Sequence, residues 1–428
     1  MIVLKKIFLG IVGLLVLIVL VVTLFFRQEV YQLYKVVTFF HPNDISDNFK
    51  RVKDIFPYST VPSSTRPFVH PSAQEAIRLP ESFLWQDSTI NTQAYLNHTL
   101  TDALLIVQND SIRFEYYGNG FTATDRHISW SMSKSVISAL LGIAISEGHI
   151  KSIEQTVTDY LPDFAGTGYD GVRIKDVLQM SSGVGFNEDY GDFNSDINVM
   201  GRYFALGMPM ADFAKRLRRE RQPGTYNYYV SIDTQVLGMI LVKATGRSIT
   251  DYMSEKLWEP IGAQSDAYWI IDKSGMEFAL GGLNVTARDY AKLGQLYLDS
   301  GRWQGRQVIP EEWVIASVTP DAPHLMPGDR STAGRKDGYG YQWWIPSGAS
   351  DEFNAQGIYT QFIYVDLYMS IRIRIWSLLN FLPTTISSKM VKDFTMIWKL
   401  RCIEQLPNDW INKFKTYFKK PIGLFQNQ

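Results

Sequence analysis

Strand-forming segments stand at the two ends of the globular stretch, and helix-forming segments fill its middle. Residues 103–108 and 112–117 are apolar runs joined through Asn109-Asp110, a two-residue hairpin signal. Late in the chain, residues 361–366 read as a strand. Residues 370–375 alternate Ile371, Ile373 and Ile375 with Arg372 and Arg374, a half-buried strand. Residues 152–254 between them read as largely helical, and a last helix at about 387–405 would cover the sheet. That order suits an α+β fold, an antiparallel sheet flanked by helices and sharing a cleft with a mainly helical lobe.

At the head of the helical middle stands Ser131-Met132-Ser133-Lys134, the only Ser-x-x-Lys of the chain. Residues 131–150 read as one helix, with Val136, Ile137, Leu140, Ile143 and Ala144 at helical spacing and Gly148 as its stop. A serine and a lysine three apart on a helix share a face, with about 5–6 Å between Cβ atoms. An unprotonated lysine held there can take the proton from the serine hydroxyl, which is otherwise a weak nucleophile at neutral pH. Burial and the positive end of the helix would both lower the lysine's pKa, as a general base requires.

Other motifs follow in order. Pro223-Gly224-Thr225-Tyr226-Asn227-Tyr228-Tyr229-Val230-Ser231 runs into Val236-Leu237-Gly238, and Ala355-Gln356-Gly357-Ile358-Tyr359 comes later. Supporting pieces are Leu178-Gln179-Met180-Ser181-Ser182-Gly183, Trp258-Glu259-Pro260-Ile261-Gly262 and Gly338-Tyr339-Gly340-Tyr341-Gln342-Trp343-Trp344. The ordered set resembles the serine β-lactamase / penicillin-binding-protein superfamily over roughly residues 79–366. Within it the chain is most similar to the class C-like branch of esterases, D-aminopeptidases and 6-aminohexanoate-dimer hydrolases.

The resemblance implies a β-lactamase/transpeptidase-like fold and a serine hydrolase that cleaves esters or linear amides through an acyl-enzyme. It implies Ser131 as nucleophile, Lys134 as base and Tyr229 as carrier of the proton to the leaving group. The backbone N–H groups of Ser131 and Ile358 would form the oxyanion hole. Asp189 and Tyr190, from the loop Glu188-Asp189-Tyr190, would bind substrate with Ser231, Gln356 and Gly357. Trp343 and Trp344 would wall the cleft or sit in the core.

Two departures from the family pattern bear on substrate. Ser231 stands where many relatives carry asparagine, and Ala355-Gln356-Gly357 where penicillin-recognising members carry Lys-Thr-Gly or a histidine variant. The missing cation disfavours the rival reading of a β-lactamase or D,D-peptidase. A second rival is a catalytically inactive cell-wall-binding or sensor protein, against which stand the intact Ser131, Lys134 and Tyr229.

A net charge of −1 gives no electrostatic case for nucleic acid. One cysteine, Cys402, excludes an intrachain disulfide. No His-x-x-x-His or Cys-x-x-Cys pair supports a metal site, and no cofactor is expected. Residues 7–26 are apolar except for Thr23 and are flanked by Lys5, Lys6 and Arg27. A run of that length spans a hydrocarbon core of about 30 Å. The expected organisation is a transmembrane anchor over 1–28, a stem and linker over 29–78 and a hydrolase domain over 79–428. The two lysines beside the amino terminus would keep that end cytoplasmic and place the catalytic part outside the cytoplasm, periplasmic or on the outer face.

Overall fold

The computed structural model describes residues 2–25, 31, 34–41, 43–85, 88–348, 351–366 and 370–376. The chain divides into two compact units, one of Met1–Ile77 and Leu100–Leu379, the other of Arg78–Thr99 and Asn380–Gln428. The division cuts across the stretch expected as one hydrolase domain.

In the first unit a seven-stranded sheet runs in the order β11 (Gly338–Tyr339), β12 (Trp344–Ile345), β13 (Glu352–Gly357), β14 (Gln361–Asp366), β15 (Ser370–Trp376), β4 (Thr101–Gln108), β5 (Ser111–Tyr117). Every neighbouring pair is antiparallel. The early and late strands meet at β4 and β15, where Val107 pairs with Ile371 and Leu105 with Ile373. Asn109 and Asp110 turn the β4–β5 hairpin with φ of 49° and 59°, the left-handed pair that a two-residue turn demands. A second sheet orders β1 (Tyr58–Val61), β7 (Ala267–Ile270), β8 (Leu283–Thr286) and β6 (Arg126–Ile128). A short hairpin pairs β9 (Arg302–Trp303) with β10 (Arg306–Gln307).

The second unit is described over 78–85 and 88–99. There β2 (Ser82–Trp85) pairs with β3 (Ser88–Asn91), and the Asn91 side chain caps the helix Thr92–His98 by accepting from the Ala94 N–H at 2.8 Å. The helix expected at 387–405 lies outside the described residues.

Helix α1 covers Ile2–Phe25, α2 covers Ser133–Ser146 and α3 covers Ser231–Thr245. Every side chain of α2 from Ser133 to Ala144 is buried, so the helix lies within the core rather than presenting one face to it. Its serines bond to distant backbone. Ser133 donates to the Ala279 carbonyl at 3.0 Å and Ser135 to that of Gln342 at 2.7 Å. The helix begins two residues later than its sequence pattern suggests, because Trp130–Met132 forms a tight 3₁₀ turn ahead of it. Gly148, at φ 78°, closes its far end, where His149 N–H reaches the Ala144 carbonyl at 2.9 Å.

Two expectations need correction. Described residues 34–41 and 43–77 of that stretch are not a detached stem, since Phe39, Ile45, Phe49, Val52, Ile55 and Val61 are buried in the core of the first unit. Strand β1 pairs along β7, and the stretch rich in proline, serine and threonine is pinned by Ser64 N–H to Ala263 and Phe68 N–H to Gly262. Spaced apolar residues, rather than the turn-forming ones around them, decide where this segment goes. The other expectation concerns the membrane anchor. Residues 2–25 do form one helix, but among the described residues no helix is long and apolar enough to cross a membrane.

Candidate active site

Two backbone segments converge at Ser131. One is the turn Ser129-Trp130-Ser131, delivered by β6, with Trp130 held at φ 44°. A bulky residue in that region is strained, and such strain persists only where the surroundings over-determine it. The other is the end of β13, where Gly357 approaches so closely that an added Cβ would lie 2.6 Å from the Ser129 carbonyl oxygen. Only glycine fits. The third motif is therefore pressed against the residues that present the nucleophile.

Aromatic rings hold the two segments from outside. Phe40 stacks on Trp130 and on Tyr359, with centroids 5.6 Å apart in both pairs. Phe49 meets Tyr359 edge-on at 5.3 Å, and Phe39 meets Trp130 at 6.1 Å. The buried Asn48 fixes this segment by donating to the Thr38 and Phe39 carbonyls at 3.2 and 3.1 Å.

Beneath Ser131 lies a polar floor. The first turn of α2 puts Lys134 Nζ 3.1 Å from Ser131 Oγ and 2.7 Å from the Leu280 carbonyl, to which it donates. Lys134 is 1 % exposed. Burial drives its pKa down to about 7, against the pull of Glu188 and Asp233. A neutral lysine here gives one N–H to Leu280 and is free to turn its lone pair toward the serine.

Tyr229 lies just ahead of α3, its ring 5.4 Å from Lys134 Nζ. Burial and then Glu188 push its phenol upward, opposed by hydrogen bonding to Ser131 and Ser231. The phenol therefore stays protonated. Trp344 stacks on the same ring at 5.3 Å, whereas Trp343 is fully buried against Tyr297 at 4.4 Å. Of the paired tryptophans, one flanks the site and the other belongs to the core.

The acidic-tyrosine loop is placed differently from expectation. Asp189 is exposed and accepts from the Gly191 N–H at 2.9 Å within its own turn, so it does not join the Ser131 group. Glu188 takes that place. It accepts from the Ser231 N–H at 3.2 Å and from the Ser231 hydroxyl, and Tyr190 donates to it at 3.3 Å. The hydroxyls of Ser231 and Tyr190, expected to meet substrate, are thus turned to Glu188. Burial raises Glu188, with Ser231 and then Lys134 opposing. Asp233, in the first turn of α3, accepts from Tyr169 at 2.7 Å and Ser182 at 3.0 Å, and burial pushes it up to about 8.

The structure thus gathers Ser131, Lys134, Tyr229 and Ser231, and sets Gly357 and Ile358 at the edge of the same turn. Gln356 lies half-buried on β13 opposite Phe362. Glu188, Asp233 and Arg335 escaped the sequence reading. Asp233 had a signal, its place two residues beyond Ser231 in the same motif. Nothing local distinguishes Glu188 from Asp189. Arg335 comes from a loop that carries no motif at all.

Residues 91–373 match the Beta-lactamase family model. The chain is 33 % identical over 279 residues to the 6-aminohexanoate-dimer hydrolase of Paenarthrobacter ureafaciens, covering 63 % of this chain and 71 % of that one. Among solved structures it resembles one from Bacillus anthracis, provisionally assigned as a 6-aminohexanoate-dimer hydrolase, with a TM-score of 0.77 at 23 % identity, covering 86 % of this chain and 97 % of that one. A penicillin-binding-protein homologue from Caulobacter crescentus superimposes with a TM-score of 0.51 at 15 % identity, over 64 % of this chain and 86 % of that one. These two likenesses establish the fold.

Proposed function

From the premise that the chain belongs to the β-lactamase family and is a serine hydrolase, we propose that it cleaves esters or linear amides through an acyl-enzyme on Ser131, a reading supported by its similarity to a 6-aminohexanoate-dimer hydrolase. Lys134 takes the Ser131 proton as Oγ attacks the carbonyl carbon. The oxyanion is met by the backbone N–H groups of Ser131 and Ile358. Tyr229 passes the proton from Lys134 to the leaving group, whose bond to the acyl carbon breaks. Water then attacks the ester of Ser131, giving up its proton along the same path in reverse and freeing the acid. The observation that carries this reading is the 3.1 Å contact between Ser131 Oγ and a buried Lys134.

The test is hydrolysis of p-nitrophenyl acetate. Ser131→Ala should abolish it without unfolding the protein, while Ser133→Ala, whose hydroxyl is tied to Ala279 in the core, should keep most of it. Activity in Ser131→Ala, or a dead Ser133→Ala beside an active Ser131→Ala, would sink the assignment.

The same proposal places the catalytic part outside the cytoplasm and lets the apolar N-terminal segment hold it to a membrane without the spanning helix that the described residues lack. Its support is the apolar run of residues 7–26 and the exposure along α1 of Ile7, Phe8, Leu9, Leu14 and Leu17. Full-length protein should pellet with membranes and resist high-salt extraction. Release by salt alone would overturn the anchor.

A further inference from the structure

The loop ahead of β11 brings a cation to the site. Asn227, two residues before Tyr229, ties this loop down: its N–H donates to the Thr332 carbonyl at 3.0 Å and its carbonyl accepts from Gly334 N–H at 3.1 Å. The Asn227 side chain in turn donates to the Gln179 carbonyl at 2.9 Å, fixing the anchor point to the neighbouring motif. Arg335 follows directly. Its guanidinium lies 4.7 Å from the Trp344 ring and 5.6 Å from the Tyr229 ring, over the pair of stacked aromatics. Stacking of this kind orients the planar fork while leaving its N–H edges able to bind. Among the described residues no carboxylate lies within ion-pair distance of it, in contrast to Lys336 beside it, which pairs with Asp329, and Glu188 feels its charge from farther off. A half-buried guanidinium held by two aromatic faces, with Glu188 as an acidic neighbour but no carboxylate in an ion pair with it, is placed to receive an anion.

We propose that Arg335 is a specificity-determining residue that binds a carboxylate on the leaving-group half of the substrate. The side follows from Tyr229, since the phenol that protonates the leaving group is the one under the guanidinium. A fork of two N–H donors matches a carboxylate's two oxygens. The substrate class this selects is an ester or amide whose departing alcohol or amine ends in a carboxylate some way from the scissile bond. The inference rests on the serine hydrolase reading above for the direction in which substrate lies. It also answers the absence of a cation in Ala355-Gln356-Gly357, because the positive charge comes from the loop ahead of β11, over Trp344 of the strand next to β13.

The test separates binding from turnover. In full-length Ser131→Ala protein, calorimetric titration compares N-acetyl-6-aminohexanoate with its methyl ester, which differ at the far end by the carboxylate's charge and one methyl group. The acid should bind roughly 10- to 100-fold more tightly, the range for a charge-assisted hydrogen bond. Adding Arg335→Gln should erase the difference, and Arg335→Lys should restore part of it. Equal affinities, binding of neither ligand, or a preference that survives Arg335→Gln would overturn the proposal. The first two outcomes do not depend on any Arg335 variant folding. Failure of wild-type protein to hydrolyse p-nitrophenyl acetate would instead count against the serine hydrolase reading, so the two failures are distinguishable.

Discussion

The two walls that hold Ser131 are built from opposite materials. Below it, Lys134, Tyr229, Glu188, Ser231 and Asp233 form a buried net of charges and hydrogen bonds contributed by α2, α3 and the Glu188 loop. Outside it, Phe39, Phe40 and Phe49 hold Trp130 and Tyr359 by ring contacts alone. Trp130 precedes the nucleophile, and Tyr359 follows Ile358, so the aromatic wall touches the flanks of both assigned oxyanion donors. Directional polar contacts fail abruptly when one partner is lost, because a buried group is left unpaired. Apolar packing yields by degrees. The polar floor should therefore respond to single substitutions and pH in large steps, and the aromatic wall in small ones.

The largest effect is expected from Lys134→Met. This change keeps the apolar stem in its pocket and removes the base, lowering kcat/KM for p-nitrophenyl acetate by roughly a hundred- to ten-thousandfold. Tyr229→Phe should cost less on an activated ester, whose leaving group needs no proton, than on an amide. A similar loss on both substrates would mean that Tyr229 serves geometry rather than proton delivery, and would blur the line between floor and wall.

An intermediate effect is expected from Phe40→Ala. The ring is 44 % exposed, so the protein should fold without it. Loss of the slab between Trp130 and Tyr359 should lower kcat by about tenfold with KM little changed, since a small misplacement of the oxyanion donors weakens the transition state more than substrate binding. Unchanged kcat would show that the aromatic wall is only a cover. The sequence alone leads to the opposite outcome for the whole segment. With residues 29–78 read as a linker, removal of everything up to Phe40 would be harmless.

That reversal shows what patterns along the chain can and cannot carry. The strands at 103–108, 112–117 and 361–366 and the Asn109-Asp110 turn were legible because they follow from local periodicity and turn chemistry. The pairing of Ser131 with Lys134 was legible because three residues of helix bring the two side chains together. Residues drawn in from afar were not legible. Phe40 meets the site across some 90 residues of chain and Arg335 across more than 200. Neither lies in a motif, and each acquires its meaning only from the rings it touches. Asp189 failed for a finer reason. Which of two adjacent acids faces inward depends on one backbone turn, and Asp189 closes that turn on the Gly191 N–H while Glu188 faces Ser231.

The smallest effect should be a shift in pH dependence. Activity requires neutral Lys134, so kcat/KM should rise with pH through about 7, the value to which burial brings that lysine. Glu188 and Asp233 act against burial, since their negative charges favour the protonated lysine. Glu188→Gln keeps an oxygen to accept from Ser231 and removes one of these charges. Burial then dominates further, the lysine loses its proton more readily, and the rising limb should move to lower pH by roughly half a unit to one unit. At pH 6 the variant should lose less of its maximal rate than the wild type does. A limb moving upward would contradict the sign of the electrostatics. A limb that stays put would mean that Glu188, itself raised by burial, is already protonated across the working range. Asp233, which burial pushes up to about 8, would be neutral there as well, and Asp233→Asn should then leave the limb in place too.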